Sequence, residues 1–505
     1  MKEDWIECNL GNVCFTTSGG TPNRQNKSFY EGKIPWIKSG ELDKGIILDS
    51  QEHISEDAIK NSSAKIFPKG TLLFALYGAT IGKMATLGIA AATNQAICGI
   101  YENDVLISKY LYHYLSYKKR ELIGKGIGGA QPNISQTILK QLLISIAPLP
   151  EQRAIVAKIE ELFSDLDKGI ADLKTAQDQL VIYRQAVLKK AFEGELTKEW
   201  REKQNNLPTA DELLEQIKVE RENHYKLQIE DWKRTVKTWE INSIKNERKP
   251  LKPKKFKELD DFLSDELDEL ALLPKGWIWM KNENYLFEVK DGTHDTPKYV
   301  EKGIPFITQK NIKNNNVTFD DVKYISIEDH NKFYKRSNVS FGDIIIAMIG
   351  HGRGNSCIVN TDKVFSIKNV GLFKFFNSLQ SNIYALNYYQ STLGLNLALK
   401  KSKGGAQPFI GLTELRNWPI PVCSIKEQHQ IVKEIESRLS VCEKVEQSIN
   451  ESLEKAKALR KSILKKAFEG KLLTAAEITR CKQEKDYEPA AVLLEKIKVE
   501  KKKSS

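Results

Sequence analysis

A long internal repeat limits the folds that this chain can adopt. Residues 128–196 align without a gap with residues 404–472 at an offset of 276, and 26 of the 69 aligned positions are identical. The matched blocks read GGAQP, EQxxIVxxIE and LKKAFEG. Upstream, four residues spaced from Gly70 to Gly82 recur from Gly342 to Gly354 at an offset of 272. Each half is therefore a diverged module followed by a better-matched one, which indicates duplication.

The better-matched segments carry an apolar stripe with helical spacing. In the first copy the stripe runs from Ile155 through Tyr183 to Ala191, and in the second from Ile431 through Leu459 to Ala467. Alternating steps of three and four residues are typical of a coiled-coil seam. About 45 helical residues would span roughly 65–70 Å, which is too long to bury against one compact domain.

Two arrangements are open for these helices. Each helix could pack on its own globular neighbour, or the two could pack against each other, because equal stripes in one chain offer each other a complete partner. We favour the paired rod, antiparallel, with a globular module at each end. The predicted fold class is α+β: two mixed α/β modules and two long coiled-coil helices in a pseudo-twofold internal repeat.

The predicted division of the chain follows from the repeat. Helices are expected near Lys109–Tyr117 and Asn382–Leu399 in the modules. A further helix is expected over residues 208–240, opening at Thr209 or Asp211. A block with seven basic residues and then seven acidic ones follows, and such a block is usually a solvated linker; contact of its basic half with phosphate or a partner protein is the alternative. The divisions are a first module (1–150), a first helical spacer (151–240), a charged linker (241–275), a second module (276–425), and a second spacer with the C-terminal tail (426–505).

Composition narrows the class of protein. The chain has 505 residues with a formal net charge of +11, which favours a polyanionic partner. Seven cysteines without a CxxC pair indicate reduced thiols. The acidic start and the shortness of the apolar runs argue against a secretory signal and a membrane span, so we expect a cytoplasmic protein.

Motifs for catalysis are missing from the sequence. GATIGKM, starting at Gly78, imitates a phosphate loop, but it has three residues between its glycines and lacks the Ser/Thr that holds Mg²⁺. No Asn-Pro-Pro-aromatic box, Pro-Asp dipeptide or paired histidine spacing occurs. We therefore predict a binding protein with no catalytic residues, no metal site and no cofactor of its own.

The loops of the two modules are polar, basic and glycine-rich at matched places. Lys, Arg, Asn and Gln can match the donor and acceptor pattern of base edges, and glycines allow close approach of the backbone. The candidate base-reading residues in the first module are Thr21, Arg24, Lys38, Tyr77, Thr80, Lys83 and Asn94. In the second module they are Thr293, His294, Gln309, Lys310, Asn311, His351, Arg353 and Asn355.

Other basic and amide residues could contact the DNA backbone, which needs only reach and charge. The candidate phosphate contacts are Lys27, Lys125, Lys298, Lys400 and Lys403. Gln131 and Gln407, in the repeated GGAQP turns, either face DNA or cap the approach to the long helix.

The order of a variable module and a long helix, twice over, with EQRAIVAKIEELF, GGAQPNIS and ILKKAFEG at the junctions, closely resembles the specificity (S) subunit of type I restriction-modification systems. The resemblance covers essentially the whole chain. It implies two target-recognition domains, each reading half of a split double-stranded DNA site, with the paired helices as a spacer. Because the modules diverge, we expect an asymmetric site.

The resemblance also implies partner proteins. Two modification subunits that bind S-adenosylmethionine and methylate adenine at N6 would dock on helix surfaces around Gln152–Lys190 and Gln428–Lys466. Restriction subunits would use ATP and Mg²⁺, and catalysis would belong to these partners. Two other readings are an autonomous DNA-modifying enzyme, which the missing motifs disfavour, and a coiled-coil adaptor without DNA contact, which leaves the basic loops without a role.

Overall fold

The computed structural model describes residues 3–43, 45–126, 133–241, 249–313, 315–376, 378–400, 402 and 408–503. The chain divides into two compact units. Unit 1 is Met1–Thr175 with Ile449–Ser505, and unit 2 is Ala176–Ser448. Each unit therefore combines one module, the first part of the long helix that follows it, and the last part of the other copy's long helix.

The strands are short and lie mainly in the two modules. In chain order they are β1 Ile6–Asn9, β2 Thr16–Ser18, β3 Ile34–Ile37, β4 Ile46–Ile47, β5 His53–Ile54, β6 Ile66–Phe67, β7 Leu72–Ala75, β8 Met84–Leu87, β9 Ala91–Thr93, β10 Ile97–Ile100, β11 Leu143–Ile146, β12 Ile278–Lys281, β13 Glu288–Asp291, β14 Ile304–Ile307, β15 Ile312–Lys313, β16 Asn316–Val317, β17 Lys323–Ile325, β18 Ile344–Ala347, β19 Ser356–Ile358, β20 Ser366–Ile367, β21 Val370–Lys374 and β22 Pro419–Val422.

The helices range from single turns to two helices of 44 residues. In chain order they are α1 Leu10–Val13, α2 Glu56–Lys60, α3 Ser108–Gly124, α4 Gln136–Lys140, α5 Leu149–Phe192, α6 Lys198–Glu202, α7 Ala210–Ile241, α8 Ser264–Asp268, α9 Asn282–Tyr285, α10 Ile327–Ser337, α11 Asn382–Gln390, α12 Thr392–Lys400, α13 Leu412–Arg416, α14 Ile425–Phe468, α15 Ala475–Lys482 and α16 Ala490–Lys503.

The two modules share one sheet plan. The first has a five-stranded sheet in the order β2-β10-β7-β8-β4 and a four-stranded sheet in the order β5-β3-β9-β6. The second has β13-β21-β18-β19 and β17-β14-β20. In both, a strand from the start of the module pairs with one from its end: β1 with β11 and β12 with β22. The described strands thus confirm the predicted mixed α+β modules.

The repeated EQ pair fixes each module to its long helix. Gln152 and Gln428 are fully buried. Gln152 accepts a hydrogen bond from the Ile107 backbone N–H at 3.0 Å, as Gln428 does from Ser381 at 3.2 Å. Because these amides are used inside the protein, the predicted partner-docking surfaces cannot begin at the two glutamines.

Tyrosines tie the module helices to the closing strands in the same way in both copies. Tyr110 and Tyr384 donate to the carbonyls of Ser145 and Pro421, both at 2.8 Å. A second pair, Tyr114 in α3 and Tyr388 in α11, donates to carbonyls two residues earlier in the same strands, those of Leu143 and Pro419. The acceptors are 276 residues apart, so the repeat continues into the diverged modules as structure.

The long helices pair within each unit, and the pairing is antiparallel. In unit 1, Arg460 of α14 pairs with Asp167 of α5; in unit 2, Arg184 of α5 pairs with Glu446 of α14 at 2.8 Å. Their apolar residues also join the module cores, with Ile155 of α5 in one and Ile431 of α14 in the other. The paired rod is confirmed, and packing on the modules occurs as well.

One position of the predicted seam is wrong in both copies. Tyr183 and Leu459 are 47% and 52% exposed. The next residues, Arg184 and Arg460, form the ion pairs across the helices instead. An α-helix has 3.6 residues per turn, so a stripe with a 3.5-residue repeat gradually rotates around the helix. At this turn the residue that faces the partner helix is therefore the next one along the chain.

The described part of the charged linker keeps most of its residues exposed, as expected of a solvated linker, but several of its residues also make contacts within unit 2. Phe256 lies under the guanidinium of Arg221 in α7, 3.8 Å from it. Pro250 accepts a hydrogen bond from the Trp232 indole at 3.0 Å, and the Leu259 backbone N–H donates to Asn284 at 2.8 Å. The sequence pattern missed this because the contacts use single aromatic and backbone groups without periodicity.

One helix prediction needs correction, and the start of another helix is now decided. The single helix expected near Asn382–Leu399 is broken at Ser391, whose backbone is extended. The Ser391 side chain accepts from the Gly394 N–H at 3.0 Å and so caps α12. The helix predicted at 208–240 is α7, and its Thr209 hydroxyl accepts from the Glu212 N–H, which selects Thr209 from the two predicted caps.

Two other observations concern cysteines and hydropathy. All seven cysteines are buried, and none of them forms a disulfide bond. Among the helices of the described residues, none has both the length and the apolar character needed to cross a bilayer.

Candidate nucleic-acid interface

In the first module, hydrogen bonds bring three loops of the sheet edge together. The Thr21 hydroxyl donates to Gln95, and Gln95 also bonds Tyr77. Partial burial raises the pKa of the Tyr77 phenol, which therefore stays a neutral donor. Next to Gln95, the side-chain oxygen of Asn94 is buried and has no hydrogen-bond partner. An unsatisfied buried acceptor costs about 1–3 kcal/mol, so this oxygen is suited to meeting a donor from outside.

Arg24 and Lys38 form ion pairs within the first module. Both bind Glu52, at 2.7 Å and 2.6 Å. The Arg24 guanidinium also stacks 4.4 Å from the Tyr30 ring and 4.8 Å from the Trp36 ring. These two cations hold the pKa of the Glu52 carboxyl below its usual range. The group forms an ion-paired cap beside Trp36, which the sequence prediction of two free base-reading cations did not include.

The remaining candidates of the first module are more peripheral. Lys83 pairs with Asp43 at 3.0 Å, and Lys125 pairs with Glu121 at 2.8 Å. The Thr80 hydroxyl donates to the Tyr77 carbonyl at 3.5 Å, inside the β7–β8 hairpin. Lys27 is exposed at the start of a single 3-10 turn.

Two candidates of the second module are buried turn residues. Asn311 is 5% exposed, and its side-chain oxygen Oδ1 accepts from the Thr308 N–H at 3.0 Å. Thr293 is 4% exposed and accepts from the Asp295 N–H at 3.1 Å. The expectation that they read bases therefore meets a structural obstacle, because their polar atoms already hold the turns. His294, by contrast, is exposed and bridges Asn369 and Asp291.

The β18–β19 hairpin of the second module matches the β7–β8 hairpin of the first. Gly350 and Gly354 have φ values of +73° and +87°, and their counterparts Gly78 and Gly82 have +76° and +73°. This left-handed backbone favours glycine. Because both hairpins turn in the same way, the loops YGATIGK and IGHGRGN lie at equivalent edges of their sheets.

Polar atoms without partners collect at this hairpin. The Arg353 guanidinium donates to the Gly350 carbonyl at 3.1 Å, but its Nε atom is buried and unpaired. The side-chain oxygen of Gln309 is likewise buried and unpaired. His351 and Asn355 are exposed on the same loop. Gln309 and Arg353, like Asn94, thus carry unsatisfied groups at predicted base-reading positions.

A cleft of about 640 Å³ opens beside Gln309. Tyr299 and Phe306 supply aromatic surface, and Lys310, Lys323 and Lys368 supply positive charge. Lys323 lies 4.3 Å from the centre of the Tyr299 ring. A cleft with flat apolar walls and a basic rim is suited to an anionic ligand with a planar group.

The last candidates are placed as follows. Lys298 and Lys400 are exposed. Lys403, Gln131 and Gln407 lie outside the described residues. Sequence reasoning missed Gln95 and Glu52 in the first module and Tyr299, Lys323, Lys368 and Asn369 in the second. One sequence signal could have led to Glu52 and Lys323: IPW (34–36) in β3 recurs as IPF (304–306) in β14. Lys323 begins β17, the partner strand of β14, and Glu52 directly precedes β5, the partner strand of β3.

No group of three or more His, Cys, Asp or Glu side chains able to hold a metal ion occurs in the parts of the chain that the structure describes. The geometry around the candidate residues is instead that of hydrogen-bonding amides, cations and aromatic rings. Such groups recognise polar edges, phosphates and planar rings.

Comparison with known proteins gives a consistent picture. The profile of the type I restriction modification DNA specificity domain matches residues 2–174 and 274–455. The type I restriction enzyme EcoBI specificity subunit of Escherichia coli is 27% identical over 413 residues, covering 81% of this chain and 76% of that protein. The EcoKI specificity subunit of E. coli strain K12 is 20% identical, covering 99% and 96%.

Solved structures agree on the fold. A chain from a study of complex assembly and conformational transition in a type I R-M system aligns with a TM-score of 0.64 at 18% identity, covering 94% of this chain and 99% of that one. The HsdS subunit from Thermoanaerobacter tengcongensis gives 0.52 at 18% identity, with 94% and 98% covered. The profile matches both modules and most of both long helices, so this chain belongs to the type I restriction-modification DNA specificity family.

Proposed function

We propose that this chain is the DNA-recognition subunit of a type I restriction-modification complex. Its two modules would each read one half of a bipartite, asymmetric site in double-stranded DNA. The chain itself would be non-catalytic and cytoplasmic, with the five-part domain division predicted from the repeat. Modification subunits would supply S-adenosylmethionine-dependent methylation of adenine, and restriction subunits would supply ATP- and Mg²⁺-dependent cleavage.

One observation carries the proposal. Predicted base-reading residues of both modules carry buried polar atoms that lack partners: Asn94 in the first module, and Gln309 and Arg353 in the second. Folding leaves such atoms unsatisfied at a cost, and base edges offer the missing donors and acceptors once these side chains turn outward. Lys310, next to Gln309, adds the charge that backbone contacts need.

Docking of modification subunits has support on the long helices. Within unit 2, Val181 and Ile182 of α5 and Val441 of α14 are 61%, 70% and 60% exposed. Exposed apolar residues on paired helices are candidates for a protein interface. Replacing Val181 and Ile182 with Asp should abolish co-purification of the modification subunit, while the control Lys335→Gln, at an exposed position of α10, should leave it intact.

The first experiment is methylation sequencing of the native genome with and without this chain. We expect one asymmetric split motif to lose N6-methyladenine when the chain is deleted. An unchanged methylome in a strain whose modification subunits are present would contradict the proposal.

A second experiment tests the residues. The double variant Arg353→Glu with Lys310→Glu should abolish methylation while the complex still assembles, because two like charges would face phosphate or base acceptors. Affinity of the assembled complex for DNA should fall steeply with salt, as phosphate contacts require; a coiled-coil adaptor without DNA contact would show no such slope. Methylation unchanged by the double variant would exclude Lys310 and Arg353 from recognition.

A further inference from the structure

The two modules differ at one matched place. Ile34 and Pro35 of β3 pair with Ile54 and His53, as Ile304 and Pro305 of β14 pair with Ile325 and Tyr324. By this register Trp36 corresponds to Phe306, and Glu52, just before His53, corresponds to Lys323. The acid that anchors the cap over Trp36 is therefore a lysine in the second module.

That exchange of charge changes what the surface can hold. In the first module Glu52 pairs with both Arg24 and Lys38, and Arg24 stacks on the Trp36 ring. In the second module no carboxylate pairs with Lys310, Lys323 or Lys368 among the described residues, although Asp321 lies on the cleft wall. The matched place of the second module is therefore more basic, and it adjoins an open cleft.

The amide of Gln309 defines what the cleft could read. Its oxygen is buried without a partner, so turning the side chain into the cleft breaks no hydrogen bond of that atom and lets it accept from a donor, while its nitrogen can donate in turn. An adenine offers this pair in the major groove, with N6–H₂ as donor and N7 as acceptor, and a bidentate amide contact to adenine is a standard base-reading geometry. Lys323 and Lys368 at the rim are placed to meet the phosphate of the same nucleotide.

We propose that this cleft is the base-specificity site of the second module, in which Gln309 reads an adenine of the half-site while Lys323 and Lys368 hold its phosphate. At the matched place of the first module, Arg24 stacks on Trp36 and Glu52 replaces Lys323. The inference rests on the proposed function, since it assumes that the second module contacts DNA.

The test uses the full-length chain assembled with its modification subunits. A plasmid library with the second half-site randomised is methylated and sequenced for wild type, for Gln309→Leu and for Lys323→Gln. For Gln309→Leu we expect discrimination for adenine at one position to fall by about tenfold or more, the range for one bidentate contact, with the other positions unchanged. For Lys323→Gln we expect uniform weakening and a smaller salt slope.

A matched control separates charge loss from folding. Lys335→Gln removes a lysine from an exposed position of α10 in the same module, and it should leave the profile and the salt slope unchanged. Thermal unfolding of all variants should stay near that of wild type, because none of the three side chains belongs to the core.

The outcomes distinguish the two levels of the proposal. If wild type methylates without any sequence preference, the proposed function fails. If wild type is specific and Gln309→Leu keeps the full adenine preference, or if the position that it relaxes is not an adenine, the cleft is not the reading site and this inference fails alone.

Discussion

The two modules use the same framework to build different surfaces. Tyr110 and Tyr384 bind carbonyls 276 residues apart, yet Arg24 stacks on Trp36 in the first module, whereas a cleft with a basic rim lies beside Phe306 in the second. The difference comes from one strand position, where one copy has an acid and the other a lysine. A duplicated fold can therefore diverge in recognition through charge on one edge, with the buried framework kept.

The largest expected effect breaks the framework of the second module. Glu427 is 1% exposed and accepts from the Trp277 indole at 2.9 Å and from Arg201 at 2.6 Å. Glu427→Gln would leave Arg201 partly buried without its countercharge, and we expect a loss of about 3–5 kcal/mol in unfolding free energy. Urea denaturation measures it.

The matched variants sharpen that comparison. Glu151→Gln in the first module removes a carboxylate bonded by the neutral Trp5 indole at 2.9 Å, and we expect a smaller loss of about 1–3 kcal/mol. Glu434→Gln, in a partly exposed pair with Arg438 within α14, should cost less than about 1 kcal/mol. Equal losses for Glu427 and Glu434 would show that the buried anchor adds nothing.

The next effect is a pH dependence centred on His113 of the first module. Burial lowers the pKa of His113 to about 4, with smaller contributions in the same direction from Lys109 and Arg460 and a smaller opposing one from Glu160. Burial also lowers the pKa of His330 in the second module. A histidine with a depressed pKa favours folding fully above its unfolded pKa of about 6.5 and loses that contribution as pH falls toward 4. We expect a loss of about 2–3 kcal/mol between pH 7.5 and 4.5.

Replacement of His113 provides the control for this prediction. By the tyrosine contacts of α3 and α11, Asn387 occupies the equivalent position in the second module, so His113→Asn imports a residue that does not titrate. Unfolding curves at the two pH values should show a shallower dependence for the variant. Parallel curves for variant and wild type would assign the pH dependence to other groups.

A smaller effect tests the ion-paired cap. Arg24→Ala removes one exposed ion pair and two ring contacts, and we expect a loss of about 1 kcal/mol, together with an opened surface above Trp36. Chemical denaturation measures the loss, and Lys27→Ala, at an exposed position three residues away, should be neutral. A loss no larger than that of Lys27→Ala would mean that the cap is not held by Arg24.

The smallest effect concerns the paired helices. Double-mutant cycles on Arg184 with Glu446 and on Arg460 with Asp167 should each give a coupling below about 1 kcal/mol, because all four side chains are partly exposed. The coupling should shrink as salt is raised. A coupling above 2 kcal/mol in one unit alone would show that the two halves of the rod are not equivalent.

Much of the fold was predictable because its signals are periodic or repeated. The stripe from Ile155 to Ala191 predicted α5, and the matching stripe predicted α14. The sequence did not indicate the helix break at Ser391 or the contacts of the linker. A capping hydroxyl and a single contact such as that of Phe256 with Arg221 produce no periodic sequence pattern. The predicted site residues also fall into two groups. Gln309 and Asn311 both line the cleft, but the Asn311 side chain already forms a hydrogen bond within its own turn.

By itself the sequence determined the duplication, the two long helices and the loops that carry polar residues at matched places, because these depend on periodicity and local composition. Only the tertiary structure decided which of these loops meet and which cations are free. Strand pairing brings Glu52 to Arg24 from 28 residues away, and it brings Lys323 to the matched place in the second module. The charge of a recognition surface depends on such non-local pairs, and no window along the chain contains both partners.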